Sequence, residues 1–309
     1  MPTLKEIKGR IGSVKSTLKI TSAMKLVSSA KLRKAQNAIA AMRPYEETLQ
    51  GMLSLVGGAS VQDSASPAPE SKAPGVIVAI ASNSSLCGGF NSNVIAKVRS
   101  VRRPGDLVYS IGRKMADAMA KDGFPSPADL SHLAEHPDYS SAASLVEKLM
   151  EDMAQGRIGS VTLVYTHFVS SAKQIPVTET LISGGDIIPS AKNNADAPGI
   201  MPPPETPSDV SDSVILSVSE ESPSIDAILE PSAAELRAQL YPKTLKLKLY
   251  AAILDSAAAE HAARTIAMQT ATDNAENLLA ELTLQYNKGR QQKITSEILD
   301  LAGGQVAQQ

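Results

Sequence analysis

The chain has 309 residues, 43% of them hydrophobic, a net charge of −2, a single cysteine (Cys87), no Trp and three Phe. That is enough apolar material for one large or two modest domains, but aromatics at 3% exclude a broad aromatic ligand platform and leave the core to aliphatic and Ala contacts. One cysteine excludes an internal disulfide framework and a cysteine-built zinc site and fits a reducing compartment; without an apolar signal core or a run of about 18 apolar residues, neither a signal peptide nor a membrane span is expected.

The charge is uneven. Residues 1–43 carry ten Lys or Arg against Glu6 alone, whereas residues 189–236 carry nine acids against Lys192 alone. One basic end and one acidic segment point to interaction surfaces.

In chain order, Leu4, Ile7, Ile11, Val14 and Leu18 alternate in steps of three and four, which is a coiled-coil seam. A second run, Ala35, Ala38, Met42, Tyr45, Leu49, Met52 and Val56, has the same alternation. Between them, residues 19–35 (KITSAMKLVSSAKLRKA) are filled with Ser, Thr, Ala and Lys, and the spacing there predicts a register slip. Pro44 predicts a kink near Arg43, and Gly57 and Gly58 predict the stop. Residues 59–74, rich in Ser, Ala and Pro, read as a linker.

Short apolar β-branched runs at residues 75–81, 106–111 and 161–168 predict strands, and stretches at 92–103, 113–121 and 141–155 predict the helices between them. Residues 174–183 read as a further strand, at an edge because of Pro176. The alternation predicts a small three-layer α/β domain with a mostly parallel sheet. Residues 189–231 turn acidic and Pro-rich, with one strand expected at Val214–Val218. Helix resumes at 232–240, Pro242 is expected to interrupt it, and a last helix follows from Lys243 to Ala302. Its seam is His261, Thr265, Met268, Thr272, Ala275, Leu279, Leu282, Tyr286 and Gly289. Two very long seamed helices, one at each end of the chain, satisfy both seams by lying against each other. The expected architecture is an antiparallel coiled coil projecting from an α/β domain.

Three chemical readings deserve weighing. His132 to His136 (HLAEH) matches the H-x-x-E-H pattern of one zinc-peptidase class, but Pro137 disfavours helical backbone at His136, and two solvent-facing histidines in a short helix or turn are the simpler reading. Gly88 and Gly89 in LCGGF lack the spacing and the Lys of a phosphate loop, which leaves a strand-to-helix turn; Cys87 beside them is either a reactive thiol near a helix start or a structural one. The ten N-terminal cations would suit a phosphate backbone, yet no stacking aromatics accompany them, so a charged protein partner is favoured over nucleic acid. No catalytic residue, metal site or cofactor is expected.

Residues 7–36 (IKGRIGSVKSTLKITSAMKLVSSAKLRKAQ), 85–91 (SLCGGFN) and 263–304 (beginning ARTIAMQTATDN) resemble, in the same order, the gamma subunit of the F-type ATP synthase. The resemblance implies a non-catalytic rotor shaft, threaded through a hexamer of alpha and beta subunits. It couples rotation of a membrane c-ring, driven by proton translocation, to conformational change in the hexamer. The α/β domain would then meet the epsilon subunit and the c-ring, on the cytoplasmic face of a bacterial membrane and attached only through the complex. Carried over by motif, Met24, Lys31, Arg33 and Lys34 would face the beta subunits, and Arg290, Gln291 and Thr295 would meet the hexamer's catch loops. The C-terminal signature appears as Ile294, Thr295, Glu297, Asp300 and Gly304, with Gln305 where Ala is usual; Ser84 and Ser85 replace a charged residue usual before LCGG. The implied organisation is a coiled-coil helix over 1–58, an α/β domain over 75–188, an acidic insertion over 189–231 and C-terminal helices over 232–309.

Overall fold

The computed structural model describes residues 3–56, 73–183 and 232–306. The 189–231 insertion with its expected strand and the Gly57–Gly58 stop lie outside them. Helix α1 (Leu4–Leu55) opens with a capping box, in which the Thr3 hydroxyl accepts the Glu6 N–H and the Glu6 carboxylate accepts the Thr3 N–H. This satisfies two donors the helix would otherwise leave orphaned. The chain continues as β1 (Gly75–Ile80), α2 (Phe90–Val101), β2 (Leu107–Ile111), α3 (Arg113–Lys121), α4 (Ser131–Glu135), α5 (Tyr139–Ala154), β3 (Ser160–Phe168), β4 (Gln174–Ser183) and α6 (Ala233–Val306).

Neither internal proline ends its helix. Pro44 lies inside α1 and Pro242 inside α6, so the interruption expected at Pro242 does not occur and the kink expected near Arg43 does not break α1. A helix-interior proline costs about 3 kcal/mol. Directly after Pro242 come the buried Leu245, Leu247, Leu249 and Ile253, and after Pro44 come Leu49 and Leu53; each contributes roughly 1.5–3 kcal/mol by leaving water. Burial wins over local propensity. At 1.5 Å per residue α1 is about 80 Å long and α6 about 110 Å.

The sheet order is β2-β1-β3-β4, with β1 parallel to β2 and β3 and β4 antiparallel on β3. The edge place of β4 suits Pro176, which cannot donate to a ladder. Alternation sorts the side chains between two cores. Val76, Val78, Ile80, Tyr109, Ile111, Leu163 and Tyr165 face α5 and the buried leucines of α6, while Ile77, Ala79, Val108 and Val164 face α2 and α3 through Val94, Val98, Met115 and Met119. The three layers are as expected, but half of one layer is the long helix α6 itself.

Packing along α1 corrects the expected register slip. The seam runs through Leu4, Ile7, Ile11, Val14, Leu18, Thr21, Lys25, Ser28, Leu32, Ala35, Ile39, Met42, Glu46, Leu49, Leu53 and Val56, all buried or half-buried, with Ser22, Met24, Ser29 and Ala38 half-buried beside it. That is one uninterrupted alternation of three and four through the polar middle. Tyr45 and Met52, assigned to the seam from sequence, are 56% and 48% exposed, and Leu53 takes the seam at 3%. The reason lies across the interface. Leu32 and Ala35 pack on Ala258 and Ala262, both fully buried, and the Thr21 and Thr272 hydroxyls are 2.9 Å apart. Small seam residues on one helix meet small residues on the other, so the axes can approach closely, and an apolar pattern search overlooks such a stretch.

Candidate functional site

In the C-terminal seam, His261, Thr265, Met268, Thr272, Ala275, Leu279, Leu282, Tyr286 and Gly289 are all buried or half-buried, as their spacing predicts. The alternation also extends upstream through Ala258, Leu254, Leu247 and Thr244. Leu4 at the start of α1 reaches Gly289, where a Cβ would stand 3.1 Å from its Cδ2. Together with Thr21 against Thr272, this fixes an antiparallel register. Among the described residues, α6 continues alone beyond Gly289. Arg290, Gln291 and Thr295 are exposed on this overhang, as are Ile294 and Ile298.

The candidate residues of α1 lie elsewhere. Met24 is half-buried and Lys31, Arg33 and Lys34 are exposed, close to the α/β domain at the level of Ala258 and Ala262. Lys31 and Arg290 are thus separated by about 40 Å along the shaft, from 1.5 Å per residue. The two groups form two stations on one rod, one at the joint and one at the overhang. Among the described residues no ion pair involves a Lys or Arg of α1, and Lys31, Arg33 and Lys34 are exposed.

Sequence reasoning missed what joins the sheet to the shaft. Ligands of open α/β sheets bind beyond the carboxyl ends of the strands, where strand order reverses. Here α6 lies against that region and leaves a cavity of about 230 Å³ lined by Cys87, Gly88, Thr166, Ala263 and Ala267. The loop after β1 turns through Leu86 (φ 67°) and Gly88 (φ 57°), and a Cβ on Gly88 would lie 3.9 Å from Ala267 of α6. Positive φ comes without steric cost only to glycine, so Leu86, 60% exposed, is held there by its surroundings. Cys87 and Phe90 are buried against Ala259. Cys87 Sγ accepts from Asn91 Nδ2 at 3.1 Å, and Asn91 Oδ1 accepts the Ser82 N–H and hydroxyl. Of the two readings of Cys87, the structural one fits a thiol 1% exposed.

A buried ion pair completes the joint. Arg264 Nη1 donates to Glu260 Oε1 at 2.6 Å one turn earlier on α6, and Arg264 Nη2 reaches the Ser84 and Ser85 carbonyls at 3.5 and 3.4 Å. Burial raises the Glu260 carboxyl above its ordinary value, opposed by Arg264 and Lys31. His261 is pushed down to about 4, first by burial and then by Arg264 and Lys31, so it is neutral in its seam position at physiological pH. The signal for this joint was present as two motifs, SLCGGFN and the Glu260–Arg264 segment, which carry no mutual spacing in sequence.

The zinc reading of HLAEH finds no helical pair. Helix α4 ends at Glu135, His136 has non-helical backbone (φ −129°, ψ 86°), and both histidines are exposed. Among the described residues no group of three or more His, Cys, Asp or Glu is placed to hold a metal.

The ATP synthase family model matches residues 3–307. The ATP synthase gamma chain of Phocaeicola vulgatus is 42% identical over 316 residues, covering 99% of this chain and 100% of the relative. The chain belongs to the ATP synthase gamma family. The gamma chain of Flavobacterium johnsoniae is 39% identical with 99% of each covered. A chain of the Euglena gracilis mitochondrial ATP synthase, solved as an OSCP/F1/c-ring assembly, shares the fold at a TM-score of 0.64 and 20% identity, over 98% of this chain and 94% of that one. A chain of the Tetrahymena thermophila mitochondrial enzyme, solved as central stalk and c-ring, has a TM-score of 0.53 at 18% identity, over 82% and 99%. Members of this family are non-catalytic subunits.

Proposed function

We propose that the chain couples rotation of a membrane c-ring, driven by proton translocation, to conformational change in an alpha/beta hexamer. The observation that carries this reading is the unequal antiparallel pair. One helix ends at Leu4 opposite Gly289 and the other runs on, so the rod presents different side chains around its axis and along its length. Each beta subunit then meets a different face as the rod turns, and differential contact energy shifts its conformational equilibrium. Exposed cations suit this task, because exposed ion pairs are worth only about 0–1 kcal/mol each and exchange readily.

In this reading Met24, Lys31, Arg33 and Lys34 contact the hexamer near the joint, and Arg290, Gln291 and Thr295 contact it from the overhang. The coiled coil over 1–58 and 232–309 is the shaft, the α/β domain over 75–188 meets the epsilon subunit and the c-ring, and the 189–231 insertion is a separate acidic segment. Attachment is through the complex at the cytoplasmic face; among the described residues no helix is long and apolar enough to cross a membrane. The test is to replace Arg290 and Gln291 together by Ala in the assembled complex and record ATP-driven rotation. Reduced torque and coupling are expected; unchanged values for both overturn the assignment.

A further inference from the structure

The end of β3 is held to α6 by Asp255, which meets His167 Nδ1 at 2.5 Å and accepts the Phe168 N–H at 3.1 Å. Phe168 packs against both apolar clusters of the joint, that of Leu32, Ala35, Ala258 and Ala262 and that of Cys87, Phe90 and Ala259. Thr166, earlier on the same strand, shares the face of Val164 and so looks toward α2. It is 3% exposed and lines the cavity of about 230 Å³ at the carboxyl ends of β1 and β3, where the strand order reverses. Its hydroxyl oxygen is buried there with no hydrogen-bond partner among the described residues. Native interiors seldom leave a buried polar atom in that state, and a partner arriving from outside recovers the cost of having buried it.

Backbone donors border the same cavity. The loop after β1 is left-handed at Leu86 and Gly88, and Gly89 follows at φ −81° and ψ 0° before α2 begins at Phe90. Such a change of hand turns successive N–H groups to one side, the concave arrangement that binds anions. The Phe90 N–H goes to the Cys87 carbonyl and the Asn93 N–H to the Gly89 carbonyl, but among the described residues no acceptor meets the N–H of Gly88, Gly89, Asn91 or Ser92. No side chain caps α2, so the positive end of its dipole stands open. Gly88, Gly89 and Thr166 all line the cavity, and its lining contains neither a carboxylate nor a cation. Donors therefore border it from the loop on one side and from β3 on the other, with no negative charge to meet them.

We propose that this cavity binds a small oxyanion, inorganic phosphate, through the Gly88 and Gly89 amides, the start of α2 and the Thr166 hydroxyl. A hydroxyl donates to an oxyanion, and a helix start favours negative charge. Phosphate is also the oxyanion that ATP synthesis consumes and ATP hydrolysis releases. Arg264 is engaged with Glu260 and with the Ser84 and Ser85 carbonyls, so the donors are neutral ones and the affinity is in the millimolar range. Bound there, the anion joins the loop after β1 to the end of β3 beside Ala263 and Ala267 of α6 and stiffens the joint. Only that consequence for torque rests on the rotor reading; the site does not.

The experiment is a phosphate titration of the full-length chain at neutral pH and constant ionic strength, read from the amide resonances of Gly88 and Gly89 and from the urea midpoint. In the wild type the shifts are expected to saturate in the millimolar range, and the midpoint to rise with phosphate as for any ligand of the folded state. Thr166→Val removes the hydroxyl. Without phosphate this variant should be at least as stable as the wild type, because the lost atom had no partner, and its phosphate affinity should drop roughly 10-fold, as loss of one hydrogen bond to an ionised group implies. Thr166→Ser keeps the hydroxyl and should bind as the wild type does. Shifts that grow linearly with phosphate mean an adventitious ion only and overturn the site. Equal affinity in Thr166→Val, or an equal loss in Thr166→Ser, overturns the part given to the hydroxyl. Acetate is the second probe, because the carboxylate of a partner's side chain offers similar oxygens. Phosphate binding more tightly than acetate supports the proposal, and acetate binding as tightly or more tightly overturns it in favour of a carboxylate. No partner subunit is present in the titration, so its failure leaves the rotor reading untouched.

Discussion

Replacing Ala258 by Leu tests the small-residue seam directly. If residues 19–35 and their partners were a weak version of a leucine seam, a larger apolar residue at a seam position would strengthen it. The structure argues the opposite. Ala258 is 0% exposed and sits among Leu32, Ala35, Ala262, Ile39 and Phe168, so three added carbon atoms have no space without moving α1 away from α6. Overpacking of this kind costs about 1–3 kcal/mol, and part of that loss would appear as separation of Phe168 from its two clusters. The assay is urea unfolding of the full-length chain followed by far-ultraviolet circular dichroism. A lower midpoint with an unchanged slope is expected, since the slope follows the surface exposed on unfolding. Ala30→Leu, at an exposed position of α1, is the control and should fall within about 0.5 kcal/mol of wild type. An Ala258→Leu midpoint equal to or above wild type would refute the close-approach account.

Two further predictions concern the joint. Arg264→Met leaves Glu260 buried and without its partner, which should cost about 3–5 kcal/mol near neutral pH. Because the folded-state carboxyl is raised above its unfolded value, the variant should be most stable in acid and lose stability as pH rises through the raised carboxyl range; a flat urea midpoint between pH 4 and 7 would count against this, and Glu260→Gln added to Arg264→Met should restore much of the loss. His261 shifts the opposite way. Its folded value of about 4 lies below the ordinary 6.5, so between these values the unfolded chain binds more protons and stability falls as pH drops. Its Nδ1 is buried without a hydrogen-bond partner among the described residues. Allowing for partial exposure, the loss from pH 7 to pH 4 should be about 1–2 kcal/mol, and His261→Gln should remove that slope; an unchanged slope places the sensitivity elsewhere.

The two long helices, their antiparallel pairing, the strands of the α/β domain and the edge place of β4 were legible in the sequence. Periodicity of three and four, periodicity of two and a strand proline each report on one element by itself, through which side chains that element must bury. The C-terminal seam from His261 to Gly289 was readable because its large and small members keep strict spacing. The α1 seam was only half readable: Thr21, Lys25 and Ser28 look like interruptions until Thr272 is seen across the interface from Thr21. Whether a small polar residue is a gap or a contact depends on the distance between two axes, and that is a property of the pair. For the same reason Pro242 looked like a break, since propensity is local whereas the burial that overrides it comes from the sheet and the partner helix. Ser84 and Ser85 stand 179 or more positions from Arg264, and His167 stands 88 from Asp255. Only the fold, by laying α6 across the strand ends, made them neighbours and set the charge each one feels.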